Sequence, residues 1–133
     1  MKGARPILDE EIALLKKYFS IKEPHRNDDR DKTFILLGLY TGFRCSELLS
    51  IRLKDVWNGF KVTDYINCRK RDCKGKIQGK TTPIFQDCKD MLEYYVKNHC
   101  KNFEYLFQSI RGGPLSYRQM LRCIKSHFNA CEL

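Results

Sequence analysis

Residues 34–40, Phe-Ile-Leu-Leu-Gly-Leu-Tyr, leave no polar side on any helix they form. Such a helix has to be surrounded by the rest of the chain, so residues 31–40 are expected to be the central buried helix. Gly42 stands just beyond, where a left-handed residue stops a helix. The chain then sets Arg44 and Glu47 inside the otherwise apolar run Thr41-Gly42-Phe43-Arg44-Cys45-Ser46-Glu47-Leu48-Leu49-Ser50-Ile51. A charge in apolar surroundings is costly unless it is paired, so this arginine calls for an anionic partner.

The remaining elements follow from periodicity and turn chemistry. Asp9 is the expected N-cap of a first helix whose Ile12, Leu15 and Phe19 share one face. Residues 23–30, with Pro24, read as a loop, and residues 46–51 as a short helix. Asn58-Gly59 is the strongest two-residue hairpin signal, joining a short strand at 56–57 to a longer one at 60–68. Residues 80–84 supply a third strand. Residues 87–99 form an amphipathic helix with Cys88, Met91, Leu92 and Tyr95 inward. Arg111-Gly112-Gly113-Pro114 is a turn, and Ser116-Tyr117-Arg118-Gln119 is a capping box opening a last helix through Met120, Leu121, Ile124 and Phe128. Phe34, Tyr40, Phe60 and Tyr95 fall at core spacing. The expected fold is α+β: one mainly helical domain with a small three-stranded antiparallel sheet.

A chain of 133 residues holds one domain with a real core, and 42% hydrophobic with 31% charged residues describes a globular chain. No apolar run approaches the ~20 residues that cross a bilayer, and the N-terminus lacks the apolar core of a signal peptide. The seven cysteines have no matched spacing, which favours a reduced, cytoplasmic setting over a disulfide scaffold. The formal net charge of +9 is unevenly spread. Residues 1–32 carry eight basic and seven acidic residues. Residues 66–80 hold Arg69, Lys70, Arg71, Lys74, Lys76 and Lys80 against Asp72 alone, and residues 111–125 hold Arg111, Arg118, Arg122 and Lys125 with no acid. Two basic patches point to a polyanion, most simply nucleic acid.

The order of a buried helix, TGFRCSELLSI, LKDV, an Asn-Gly hairpin, CKGKIQGKTTPI and LF…GGPLSYRQ resembles the front part of the tyrosine recombinase (phage integrase) catalytic domain. The resemblance runs from Leu8 to Leu133. In that family a Thr-Gly-Leu-Arg-x-Ser-Glu-Leu-Leu motif supplies the first active-site arginine, and a lysine on the following β-hairpin loop supplies a general acid. The resemblance therefore implies double-stranded DNA as partner, other protomers of the same kind, and no small-molecule cofactor, metal or membrane.

Carried over by position, Arg44 matches the first catalytic arginine and Glu47 its acidic companion. A phosphodiester under attack by a tyrosine gathers negative charge on its non-bridging oxygens, and a fixed guanidinium binds two of them at once. Losing such a preorganised donor typically costs about 2.7–4 kcal/mol of transition-state stabilisation. Glu47, three residues on, is placed to orient the arginine or its surroundings. Lys74 best matches the hairpin lysine, with Lys76 as the alternative; its role is to protonate the leaving 5′ oxygen. Arg69, Lys70, Arg71, Lys76 and Lys80 would contact DNA beside it. Tyr117, Arg118 and Arg122 would do so from the last helix, whose N-terminus attracts phosphate.

The family pattern continues with His-x-x-Arg and a nucleophilic tyrosine. None of the seven tyrosines here sits in that context, and His127 has no arginine three residues on. The reading is thus of a C-terminally truncated catalytic domain over residues 1–133, without a core-binding domain, inactive alone. The alternatives are a non-catalytic DNA-binding prophage remnant or regulator, and a basic RNA- or zinc-binding module. For zinc, Cys123, His127 and Cys131 recur at i, i+4 and i+8, but a fourth ligand would have to come from His99 or Cys100, and ordinary packing is the better account.

Overall fold

The structure, a computed structural model, describes residues 9–68, 80–109 and 112–131. Its elements in chain order are α1 (Asp9–Ile21), α2 (Asp28–Thr41), α3 (Cys45–Ser50), a 3-10 turn (Leu53–Asp55), β1 (Tyr65–Cys68), β2 (Lys80–Pro83), α4 (Gln86–His99) and α5 (Tyr117–Ala130). α2 is the hub: α1, α3, α4 and α5 all pack on it. Asp31 and Thr33 to Leu37 are buried along its length, as an apolar helix requires. It begins three residues earlier than the expected start at residue 31, because Asp28, Asp29 and Asp31 suit the positive N-terminal end of the helix dipole. Gly42 stops it with φ 76°, and the Gly42 N–H donates to the Gly38 carbonyl at 2.8 Å.

The core gathers Phe34, Leu37, Phe43, Leu48, Ile66, Leu92, Tyr95, Leu106, Phe107 and Met120. Phe34 and Phe107 meet edge to face with centroids 4.9 Å apart, and the Tyr95 hydroxyl donates to the Leu106 carbonyl at 2.9 Å. That bond satisfies the one polar atom that Tyr95 brings inside.

The sheet differs from expectation. It has two antiparallel strands, with Tyr65 opposite Pro83 and Ile66 opposite Thr82. The strand expected at 56–57 is reduced to a single bridge between Trp57 and Val62. The cause is local. Val56 and Trp57 both donate their N–H groups back to Leu53, winding this backbone into the 3-10 turn and leaving it unavailable for a ladder. The Asn58-Gly59 turn does form, with the Asn58 Oδ1 accepting the N–H groups of Phe60 and Lys61 at 2.9 Å. Phe60 itself is 85% exposed at the tip, so its expected place in the core is wrong.

The stretch after α4 is a strap with little regular structure. Leu106 donates its N–H to the Ile51 carbonyl at 3.0 Å, and the Phe107 carbonyl accepts the Leu115 N–H at 3.1 Å. Gly112 and Gly113, at φ 87° and 75°, turn the chain toward α5 in a conformation that side-chain-bearing residues avoid. Ser116 then caps α5, its Oγ accepting the Gln119 N–H at 3.1 Å.

Burial pushes the thiols of Cys88 and Cys100 up from near 9 to about 12. Both should resist alkylation at pH 8 until the chain unfolds, whereas the half-buried Cys45, Cys123 and Cys131 should label first by mass spectrometry. Raised pKa values favour the folded state only while the thiols are protonated. Stability should therefore be full below pH 9 and fall toward pH 12, as the unfolded chain ionises sulfurs that the folded chain holds neutral.

Candidate active site and nucleic-acid interface

Arg44 sits between a helix stop and a helix start. Upstream, the Thr41 Oγ1 donates to the Leu37 carbonyl at 2.7 Å and accepts the Phe43 N–H at 3.2 Å, while the Phe43 ring is buried. Downstream, Glu47 turns back so that its Oε1 accepts the Arg44 N–H at 2.7 Å, and the Arg44 carbonyl accepts the Leu48 N–H at 2.9 Å. Both backbone groups of Arg44 are thus engaged, at φ −76° and ψ 161°. Glu47 is only 2% exposed, so this charge-assisted bond operates in a low-dielectric setting. The carboxylate steadies the arginine through its backbone and leaves the exposed guanidinium free to meet a ligand.

No carboxylate among the described residues forms an ion pair with Arg44. Other cations are taken up internally: Lys22 by Asp28, Arg30 by Asp31, Arg52 by Glu104. Arg118, Arg122 and Lys125 are exposed on α5, also without an ion pair among the described residues, and α5 contains no acidic residue. α5 packs against α3, the helix that Arg44 caps. The structure therefore brings Arg44 and the α5 cations to neighbouring elements. Tyr117, half exposed, opens α5.

Of the other residues singled out in the sequence, Arg69, Lys70, Arg71, Lys74 and Lys76 lie outside the described residues. The Lys80 backbone pairs with Cys68 where the two strands meet the connection between them. Sequence reasoning missed Asp31, which is 4% exposed and joins α2 to α5 through His127, its Oδ2 lying 2.8 Å from His127 Nε2. The signal for it was an acid directly ahead of an apolar run. The His127 imidazole is occupied by Asp31 and Tyr18. No cluster of three or more potential metal ligands occurs among the described residues.

Residues 8–132 match the profile of the phage integrase family. The chain belongs to that family. It is 28% identical over 117 residues to the tyrosine recombinase XerC of Staphylococcus epidermidis, covering 83% of this chain and 36% of that protein. It is 29% identical over 124 residues to the probable integrase/recombinase YoeC of Bacillus subtilis, covering 92% of this chain and 64% of that one. The chain thus spans about a third of XerC and just under two thirds of YoeC. Among solved structures, the XerA recombinase superposes with a TM-score of 0.72 at 21% identity, over 96% of this chain and 43% of that one. A lambda integrase dimer bound to a COC′ core site gives 0.65 at 17% identity, over 96% and 34%. The fold is that of the integrase catalytic domain, here mainly helical with a two-stranded sheet. No helix among the described residues is long and apolar enough to cross a membrane.

Glu47→Ala should lower stability in urea denaturation by about 1.5–3 kcal/mol, the usual worth of a hydrogen bond to a charged group. Glu47→Gln, which keeps an acceptor oxygen, should lose less.

Proposed function

We propose that this chain is the DNA-binding front part of a site-specific recombinase catalytic domain, forming a single domain that grips a duplex phosphate without cutting it on its own. One observation carries the reading. An exposed arginine on a fully engaged backbone, with no carboxylate pairing it among the described residues, stands beside an acid-free helix rich in cations. A protein with no anionic ligand would gain from pairing such charges internally, as it does for Arg30 and Arg52.

In the proposed chemistry Arg44 binds two non-bridging oxygens of the scissile phosphate and stabilises the charge that gathers there. Glu47 holds the Arg44 backbone while this happens. A tyrosine oxygen bonds to phosphorus, giving a 3′-phosphotyrosine, as the bond to the 5′ oxygen breaks. Lys74, with Lys76 as alternative, gives its proton to that departing oxygen. Arg69, Lys70, Arg71, Lys76 and Lys80, together with Tyr117, Arg118 and Arg122, hold the flanking backbone. The nucleophile and a second arginine find no match among these 133 residues, so strand transfer needs them from additional protein, together with further protomers.

Binding to duplex DNA should weaken steeply with salt. Arg44→Ala and Arg122→Ala should each lower the slope of log affinity against log salt by about 1, measured by fluorescence anisotropy. Unchanged affinity and slope in both variants would remove the phosphate assignment. On a nicked suicide duplex the chain should leave no covalent adduct on a denaturing gel. A trapped phosphotyrosyl product would show that one of the tyrosines present is a nucleophile.

A further inference from the structure

The line of Cys123 and His127 on α5 with Cys131 at its C-cap has no part in the phosphate chemistry, yet each member reaches another helix. The His127 Nε2 lies 2.8 Å from the Asp31 Oδ2 of α2, and the Tyr18 hydroxyl of α1 lies 2.8 Å from Nδ1. A neutral imidazole satisfies both by donating from Nε2 to the carboxylate and accepting at Nδ1. Arg30 closes the network: its Nε and Nη2 both stand 2.9 Å from the Asp31 Oδ1, and Nη2 also reaches the Cys123 Sγ at 3.7 Å. One turn past His127, the Cys131 Sγ donates to the Leu14 carbonyl at 3.7 Å. His127 is 9% exposed and Asp31 4%, so these bonds are shielded from competing water.

This arrangement bears on the opposite side of the helix. At about 100° per residue, Arg118 lies roughly 180° around α5 from His127, Arg122 about 140° and Lys125 about 200°. In the N-terminal half of α5 Met120 is fully buried, and Cys123 packs partly buried against the core beside it. An apolar contact resists separation but only weakly resists rolling, whereas two directional bonds to two different helices fix the roll.

Resting on the DNA reading above, we propose that His127 is a positioning residue for duplex binding. It is the junction of α1, α2 and α5, and it sets the rotation of α5 so that Arg118 and Arg122 face the phosphate backbone alongside Arg44. The two cysteines flanking it are minor members of the same seam.

The test joins a duplex-free measurement to a double-mutant cycle. His127→Phe keeps a ring for its contacts with Phe19 and Tyr18, but removes both bonds. Tyr18→Phe removes one bond only, and serves if burying an unpaired Asp31 prevents folding. In either variant, amide exchange should quicken about tenfold in α5 while α4 keeps its protection. Arg122→Ala should weaken duplex binding about tenfold in the parent and about twofold beside His127→Phe or Tyr18→Phe, while Arg44→Ala keeps its full effect in every background. Unchanged α5 protection would overturn the junction. Faster α5 exchange with additive losses would overturn the positioning role and leave a structural one. If the parent binds no duplex, the positioning role falls with the DNA reading, and a persisting α5 response would locate the failure in that reading.

Discussion

Every helix that carries a proposed DNA-contacting side chain packs on α2, and α3 approaches it closely. Leu48 lies so near Gly38 that a methyl group there would stand 3.1 Å from its Cδ1. Glycine in mid-helix is normally a small loss, about 1 kcal/mol relative to alanine. Here it lets the short α3 settle onto the buried hub, which six residues could not do by helical propensity. Arg44 caps that helix, so the depth at which α3 sits determines where the guanidinium emerges.

The phosphate contact proposed for Arg44 is thus prepared by apolar packing and completed by one carboxylate. Glu47 acts on the main chain of Arg44 at 2.7 Å, which explains how an acid can stand three residues from the proposed phosphate-binding cation without pairing its guanidinium. The buried Asp31 does something comparable at the other end of α2. It absorbs Arg30 and His127 inside the fold, while the cations of α5 are left to the outside. Charges that organise the domain and charges that face outward are kept apart, and each buried one has its partner.

Much of this was legible from residue patterns. The hub followed from an apolar run with no polar side, its end from Gly42, and the start of α5 from Ser116 with Gln119, because these signals act within one or two turns of chain. The arginine motif was legible for the same reason. What escaped was of two kinds, local competition for the backbone and contacts made at long range. The strand expected at 56–57 lost its backbone to a 3-10 turn, and Phe60, whose spacing suggested the core, ended at a hairpin tip. His127 looked like a ligand candidate because spacing along a helix shows which residues share a face. It does not show that the facing residues are Asp31, 96 positions away, and Tyr18, 109 positions away.

The strap between α4 and α5 has a consequence for how such a domain can vary. Leu106 turns its N–H toward the end of α3, and its immediate neighbour Phe107 turns its carbonyl toward the approach to α5. Adjacent residues thus serve two different neighbours of the strap. Side chains here can change wherever volume permits, but the count between these two attachments cannot. A single residue added between Ile51's partner and Leu115's partner would put the wrong face of the backbone toward one of them. The register of these two attachments is therefore held by counting residues, a ruler that no comparison of side-chain types would reveal.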